Sequence, residues 1–126
     1  EGMAAELELP NVRVVAARAE EAARGPLRDS AALVTARAVA ELRELLEYTA
    51  PFARPGGWLL LPKGSTASSE LAAATAALAE LQCAHRASIP MRPEVSETLT
   101  VLAMEKLGAT SPTYPRRPGT PAKRPL

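Results

Sequence analysis

One histidine, His85, one cysteine, Cys83, and one aspartate, Asp29, limit the covalent chemistry open to this chain. A Ser-His-Asp triad would have to use His85, which falls inside a predicted strand far from any nucleophile signal, so spacing and context argue against it. Zinc needs three or four clustered His, Cys or carboxylate ligands, and the sequence has no such cluster. No GxGxxG or Walker loop occurs in these 126 residues, so that device for holding a nucleotide is absent from them. What remains are residues where predicted strands end: Arg18, Ala19 and Glu20 after one, Arg37 after the next, Lys63 after a third. In open α/β sheets ligands bind outside the carboxyl ends of the strands. Such residues form a ligand-site pattern when they share an edge; solvated charges at ordinary strand–loop junctions are as common a reading.

The elements that would position these residues follow from periodicity and punctuation. Gly2–Leu9 reads as the tail of a helix, stopped by Pro10. Val12–Ala16 is a short β-branched run and reads as a strand, followed by a brief helix from Glu20 to about Arg24 that Gly25-Pro26 cuts short. A second strand is expected over Ala32–Ala36 and a helix over Ala40–Thr49, where Leu42, Leu45 and Leu46 recur at helical spacing. Pro51, Pro55, Gly56 and Gly57 predict a turn, and Trp58–Leu61 a buried parallel strand. Ser68 or Ser69 is placed to cap one long helix, Glu70–Leu81. Two further strands, Cys83–Ile89 and Thr98–Met104, flank the loop Pro90–Ser96; with no helix between them they predict an antiparallel pair at the end of the sheet. Strands alternating with helices make this an α/β chain with a mostly parallel sheet.

Hydrophobic residues make up 47% of the chain, so a packed core is expected, but aromatics are only 3% and the core must be built from Ala, Leu and Val. The net charge of +1 is uneven: Arg116, Arg117, Lys123 and Arg124 lie in the last fourteen residues with no acid among them. Five prolines from Ser111 onward argue against a helix there. The expected organisation is therefore a body over residues 1–111 and an extended basic arm over 112–126, suited to an anion. A single cysteine permits no intrachain disulfide, no apolar run approaches a membrane span, and Glu1–Ala5 lacks the basic and apolar regions of a signal peptide. A cytoplasmic protein without membrane, metal or DNA as partner is expected.

Specific strings carry a resemblance. Asn11-Val12-Arg13-Val14-Val15 through Arg18-Ala19-Glu20-Glu21 resembles the "NV.VV..RAEE" segment of the bacterial 16S ribosomal RNA guanine-N7 methyltransferases, the glucose-inhibited division protein B family. Val34-Thr35-Ala36-Arg37-Ala38-Val39-Ala40 is similar to their "VTARAVA" segment, and Pro55-Gly56-Gly57 with Lys63-Gly64 to their "PGG…KG" strand and loop. The ending from Tyr114-Pro115-Arg116 to Lys123-Arg124-Pro125-Leu126 resembles their "YPR..GTP.K.PL" terminus. "PGG" is widespread among methyltransferases, whereas "TARAVA" and the terminal string are far more specific, and all stand in the right order.

The resemblance implies the C-terminal part of a doubly wound, Rossmann-like S-adenosylmethionine-dependent methyltransferase sheet, with the first two strands and their glycine-rich and ribose-binding loops absent from these residues. It implies that Ala19 and Glu20 line the adenosine end of the cofactor site and that Arg37 lies beside the cofactor near the transferred methyl. Arg18 and Lys63 become candidate contacts for the guanine or its phosphates, with Arg116 and Arg117 as looser ones. The partner implied is 16S ribosomal RNA or the small ribosomal subunit. Loss of the cofactor loop leads to the expectation that this chain alone binds little cofactor; the alternative is a non-enzymatic RNA-binding or interaction fragment. Ala31-Ala32 departs from the aromatic and Asp usual in the family at that point.

Overall fold

A computed structural model of the chain describes residues 11–37, 40–92, 94 and 98–126. The expected helix Gly2–Leu9 lies outside them. In chain order the elements are α1 (Ala19–Ala22), β1 (Ala31–Thr35), α2 (Leu42–Thr49) with a 3₁₀ turn (Ala50–Phe52), β2 (Ala53–Lys63), α3 (Ala67–Ala73), α4 (Thr75–Glu80), β3 (Cys83–Pro90), β4 (Thr100–Lys106) and α5 (Thr120–Lys123).

A single sheet of four strands runs in the order β1-β2-β4-β3. The β1–β2 pair is parallel, as a helix-bearing crossover requires, and β4 is antiparallel to both β2 and β3. The expected antiparallel pair is thus present, with β4 inserted between β3 and the rest. Leu42, Leu45 and Leu46 of α2 pack with Leu59 and Leu61 of β2, Leu102 and Met104 of β4, and Leu81 after α4. Alternation along β2 sends Leu59 and Leu61 into this core, so the run is half-buried rather than covered on both sides as its apolar composition predicts. Trp58, of opposite parity, stands beside Leu33 of β1, and the two are 37% and 55% exposed.

Several boundaries differ from the sequence reading, each for a local reason. Val12–Ala16 forms no strand: Val12, Val14 and Val15 are exposed, and a strand exists only where a neighbour accepts its hydrogen bonds. The short first helix is Ala19–Ala22 and continues as turns to Asp29. The Ala40–Thr49 helix begins at Leu42, with extended Glu41 as its N-cap. The predicted turn at Pro55-Gly56-Gly57 is absorbed into β2 as an irregularity, because Ala31 pairs with Ala53 while Leu33 pairs with Trp58. The expected helix Glu70–Leu81 starts at Ala67 and breaks at Ala74 (φ −95°, ψ 6°); neither Ser68 nor Ser69 caps it, since Thr66 holds the N-cap position. The proline-rich end does contain a helical turn, Thr120–Lys123, because Pro121 stands in its first turn, where no intrahelical N–H is needed.

Strand β1 is an edge of the sheet among the described residues, and Leu33 is exposed on it. Unpaired apolar edges template association with further strands. Leu33→Lys is accordingly expected to shift the chain toward the monomer; sedimentation velocity across a concentration series checks this, and unchanged association would exclude the β1 edge as its route.

Candidate functional site

Because β1 and β2 are parallel and in register at their ends, with Thr35 opposite Leu60, the segments that follow them leave the same edge of the sheet. That edge carries Arg37 and Lys63. Arg37 is exposed. Lys63 is only 3% exposed, and its ammonium donates to the Ala40 carbonyl at 2.7 Å and pairs with Glu70 Oε1 at 2.8 Å. Glu70 in turn accepts from the Leu42 N–H at 2.8 Å, satisfying an orphan donor at the start of α2, and from Thr66 Oγ1 at 2.5 Å. Burial pushes the Glu70 carboxyl up, but hydrogen bonds from Lys63, Thr66 and Leu42 prevail and hold it below its ordinary value. Lys63 therefore fixes Ala40 and, through Glu70, the head of α2, and its charge is directed inward.

A second group forms around α1. Glu20 is 4% exposed, and its Oε2 accepts from Arg18 Nη2 at 3.2 Å and from the Gly119 N–H at 3.3 Å. Arg18 remains largely exposed, with 59% of its side-chain surface accessible. Ala19 is half-buried. Arg24 donates to the Pro115 carbonyl, so α1 and the turn that follows it each contact the C-terminal arm. Within the arm, Arg116 forks onto the fully buried carboxylate of Glu47, with Nη2 to Oε1 at 2.7 Å and Nε to Oε2 at 3.0 Å, while Arg117 is exposed. The structure thus joins Arg18, Glu20 and the arm in one group and Lys63, Glu70, Ala40 and Leu42 in another, with Arg37 at the same end of the sheet as the second. Among the described residues no hydrogen bond or ion pair links the two groups.

The residues with covalent potential are spent elsewhere. Burial pushes the Cys83 thiol up to about 11 despite the Lys106 charge nearby, which leaves it protonated and unreactive at neutral pH. His85 is exposed, and its Nε2 lies 2.9 Å from Ser88 Oγ. Asp29 faces Lys106 and Thr110 instead of a histidine. Sequence reasoning overlooked the carboxylates Glu47 and Glu70. Nothing local marks either one: Glu47 falls off the leucine stripe of α2, on the side of Arg43 and Glu44, where Arg116 of the arm meets it.

The model of the ribosomal RNA small subunit methyltransferase G family matches residues 1–99. The chain belongs to this family. A ribosomal RNA small subunit methyltransferase G of Roseiflexus castenholzii is 43% identical over 121 residues, covering 95% of this chain and 52% of the relative. Those of Desulfitobacterium hafniense and Chloroflexus aggregans are 40% and 43% identical, covering 96% and 95% of this chain and 52% and 51% of their own lengths. The chain spans about half the length of the curated relatives it matches. The family model ends before the arm, but the alignment with the Brevibacillus brevis methyltransferase covers 98% of this chain and so reaches into it.

Proposed function

We propose that this chain provides the substrate-facing part of an enzyme that transfers a methyl group from S-adenosylmethionine to N7 of a guanine in 16S ribosomal RNA, within a doubly wound sheet completed by further strands. Family membership over residues 1–99 carries the reading. Bound S-adenosylmethionine supplies a sulfonium methyl that the free N7 lone pair attacks directly, so neither a general base nor a covalent cysteine is needed. The side chains agree with that requirement: the one thiol is buried and protonated, and the Lys63–Glu70 pair at the sheet edge is committed to the head of α2.

The residues fit one wall of a cofactor site. Since the Glu20 carboxylate is committed to Arg18 and Gly119, the part of Ala19-Glu20 left for the adenosine end is its backbone. Arg37, exposed beyond β1, has a guanidinium suited to an acceptor on the cofactor or on guanine. Of the candidate phosphate contacts, Arg18 and Arg117 are exposed, while Lys63 is committed to Ala40 and Glu70, and Arg116 to Glu47 beside Arg117. With the reactants brought together in line, catalysis rests on orientation. The chain by itself is expected to bind S-adenosylmethionine poorly, because its 126 residues contain no glycine-rich loop. Micromolar affinity of the isolated chain by calorimetry would sink that part.

The test is a chimaera in which the N-terminal portion of the Roseiflexus methyltransferase precedes this chain. Incubated with tritiated cofactor and a 16S transcript, it should place label in 7-methylguanine, located by borohydride reduction and aniline cleavage. A folded chimaera that transfers nothing, or labels another position, overturns the proposal. In the same chimaera Arg37→Ala should lower kcat/KM by about 100-fold, the effect of a misplaced reactant, with little change in the melting temperature.

A further inference from the structure

The proline-rich arm is fastened to the body at successive points. Arg28 donates to the Ser111 carbonyl at 2.8 Å, the Tyr114 hydroxyl to Glu80 at 3.1 Å, and Pro115 and Pro121 are fully buried. At the centre stands Glu47. Its two oxygens take the Arg116 guanidinium, and Oε2 also accepts the Arg116 backbone N–H at 2.7 Å. Arg116 Nη2 reaches on to the Arg124 carbonyl at 2.6 Å, and Glu20 holds Gly119, so the span Arg116–Arg124 is pinned at three places to the body or to itself. Its remaining cations, Arg117, Lys123 and Arg124, lie toward solvent, and none forms an ion pair among the described residues.

A buried ion pair adds little net stability over well-packed apolar residues; what a forked carboxylate–guanidinium pair does supply is a single geometry. Resting on the reading that the arm meets RNA, we propose that Glu47 is a positioning residue for substrate. Through Arg116 it holds the arm so that Arg117, Lys123 and Arg124 present one rigid basic surface, which Glu20 joins to Arg18. A pre-ordered surface binds without the entropy loss of fixing a free tail. Glu47 itself is fully buried and touches no RNA.

Filter binding of the complete chain to a 16S transcript at two salt concentrations tests this. Arg117→Ala with Lys123→Ala should weaken binding and flatten the salt dependence, by about 0.7–0.9 in the log–log slope for each phosphate no longer neutralised. Glu47→Gln should weaken binding about fivefold in the native chain and less than about twofold when Arg117 and Lys123 are already alanine, because coupled residues are not additive. Should Glu47→Gln fail to fold, Arg116→Lys serves: it keeps the charge and loses the fork. Equal losses in both backgrounds would overturn the positioning role and leave RNA binding by the arm intact. Binding untouched by the double alanine variant would overturn the arm's role toward RNA, and this inference with it.

Discussion

Lys106→Met should destabilise the fold by about 3–5 kcal/mol, the loss typical when one partner of a buried charged network is removed. Such a loss is a large share of the roughly 5–15 kcal/mol that separates folded from unfolded domains. Lys106 ends β4 and is fully buried. Its ammonium donates to the Ala50 carbonyl at 2.7 Å, the Ala53 carbonyl and Thr110 Oγ1 at 2.8 Å, and Asp29 Oδ1 at 3.0 Å. The cation thus closes the C-terminal end of α2 and its 3₁₀ turn, where the helix dipole favours positive charge, and ties it to β2, β4 and the loop before β1. Methionine matches the length but removes the ammonium from the buried Ala50 and Ala53 carbonyls, of which the first keeps only the Ala53 N–H, and leaves Asp29, for counter-charge, only the longer contact to Arg28 at 3.9 Å. Urea unfolding read by circular dichroism should show a lower midpoint at unchanged slope; a midpoint within experimental error of the native chain would refute this account. Asp29→Asn should be milder, at about 1–2 kcal/mol, since Lys106 then keeps its other acceptors.

The same network gives a pH dependence. Burial pushes the Asp29 carboxyl up, but hydrogen bonds from Lys106 and from the Thr110 backbone and hydroxyl, with the Lys106 charge, hold it below its ordinary 3.8. A carboxyl depressed in the folded state contributes stability in full above its unfolded value, and the contribution is lost as pH falls through the folded value. Glu70, held below 4.5, acts in the same direction. The unfolding midpoint should therefore fall as pH drops below about 4.5, the top of the window set by the two unfolded values, and Asp29→Asn should flatten the lower part of that fall.

Gly57→Ala should cost about 2–3 kcal/mol, at the upper end of ordinary overpacking. A Cβ there would lie 2.8 Å from the Ala31 carbonyl oxygen, 2.9 Å from that of Arg54 and 3.0 Å from that of Ala32. All three are backbone atoms: the Ala31 and Ala32 oxygens yield only if β1 and β2 separate at the point where their register shifts, and the Arg54 oxygen only if β2 itself bends differently. Gly56 beside it has φ +83° but open space around its Cβ position, so Gly56→Ala should cost less, through backbone strain alone. Thermal melts of the two variants make the comparison; equal losses would mean that the crowding at Gly57 is relieved elsewhere.

Local patterns in the chain were enough for the α/β class, the leucine stripe of α2, the places of β1, β3 and β4 to within a few residues, and the family. Periodicity and strings that survive in order are properties of short stretches, which is why they can be read without a fold. The same patterns singled out Arg18, Glu20, Arg37, Lys63, Arg116 and Arg117 as residues able to meet a ligand. Which of these turn outward was set by tertiary packing. Lys63 and Arg116 look like surface cations in sequence but meet Glu70 and Glu47, 7 and 69 positions away, in sites that packing has desolvated. An ion pair of this kind depends on where two elements meet, which no local pattern encodes. Val12–Ala16 makes the converse point: its composition is that of a strand, yet it pairs with none of the described strands, because strand formation belongs to two segments and the sequence of one specifies only its readiness.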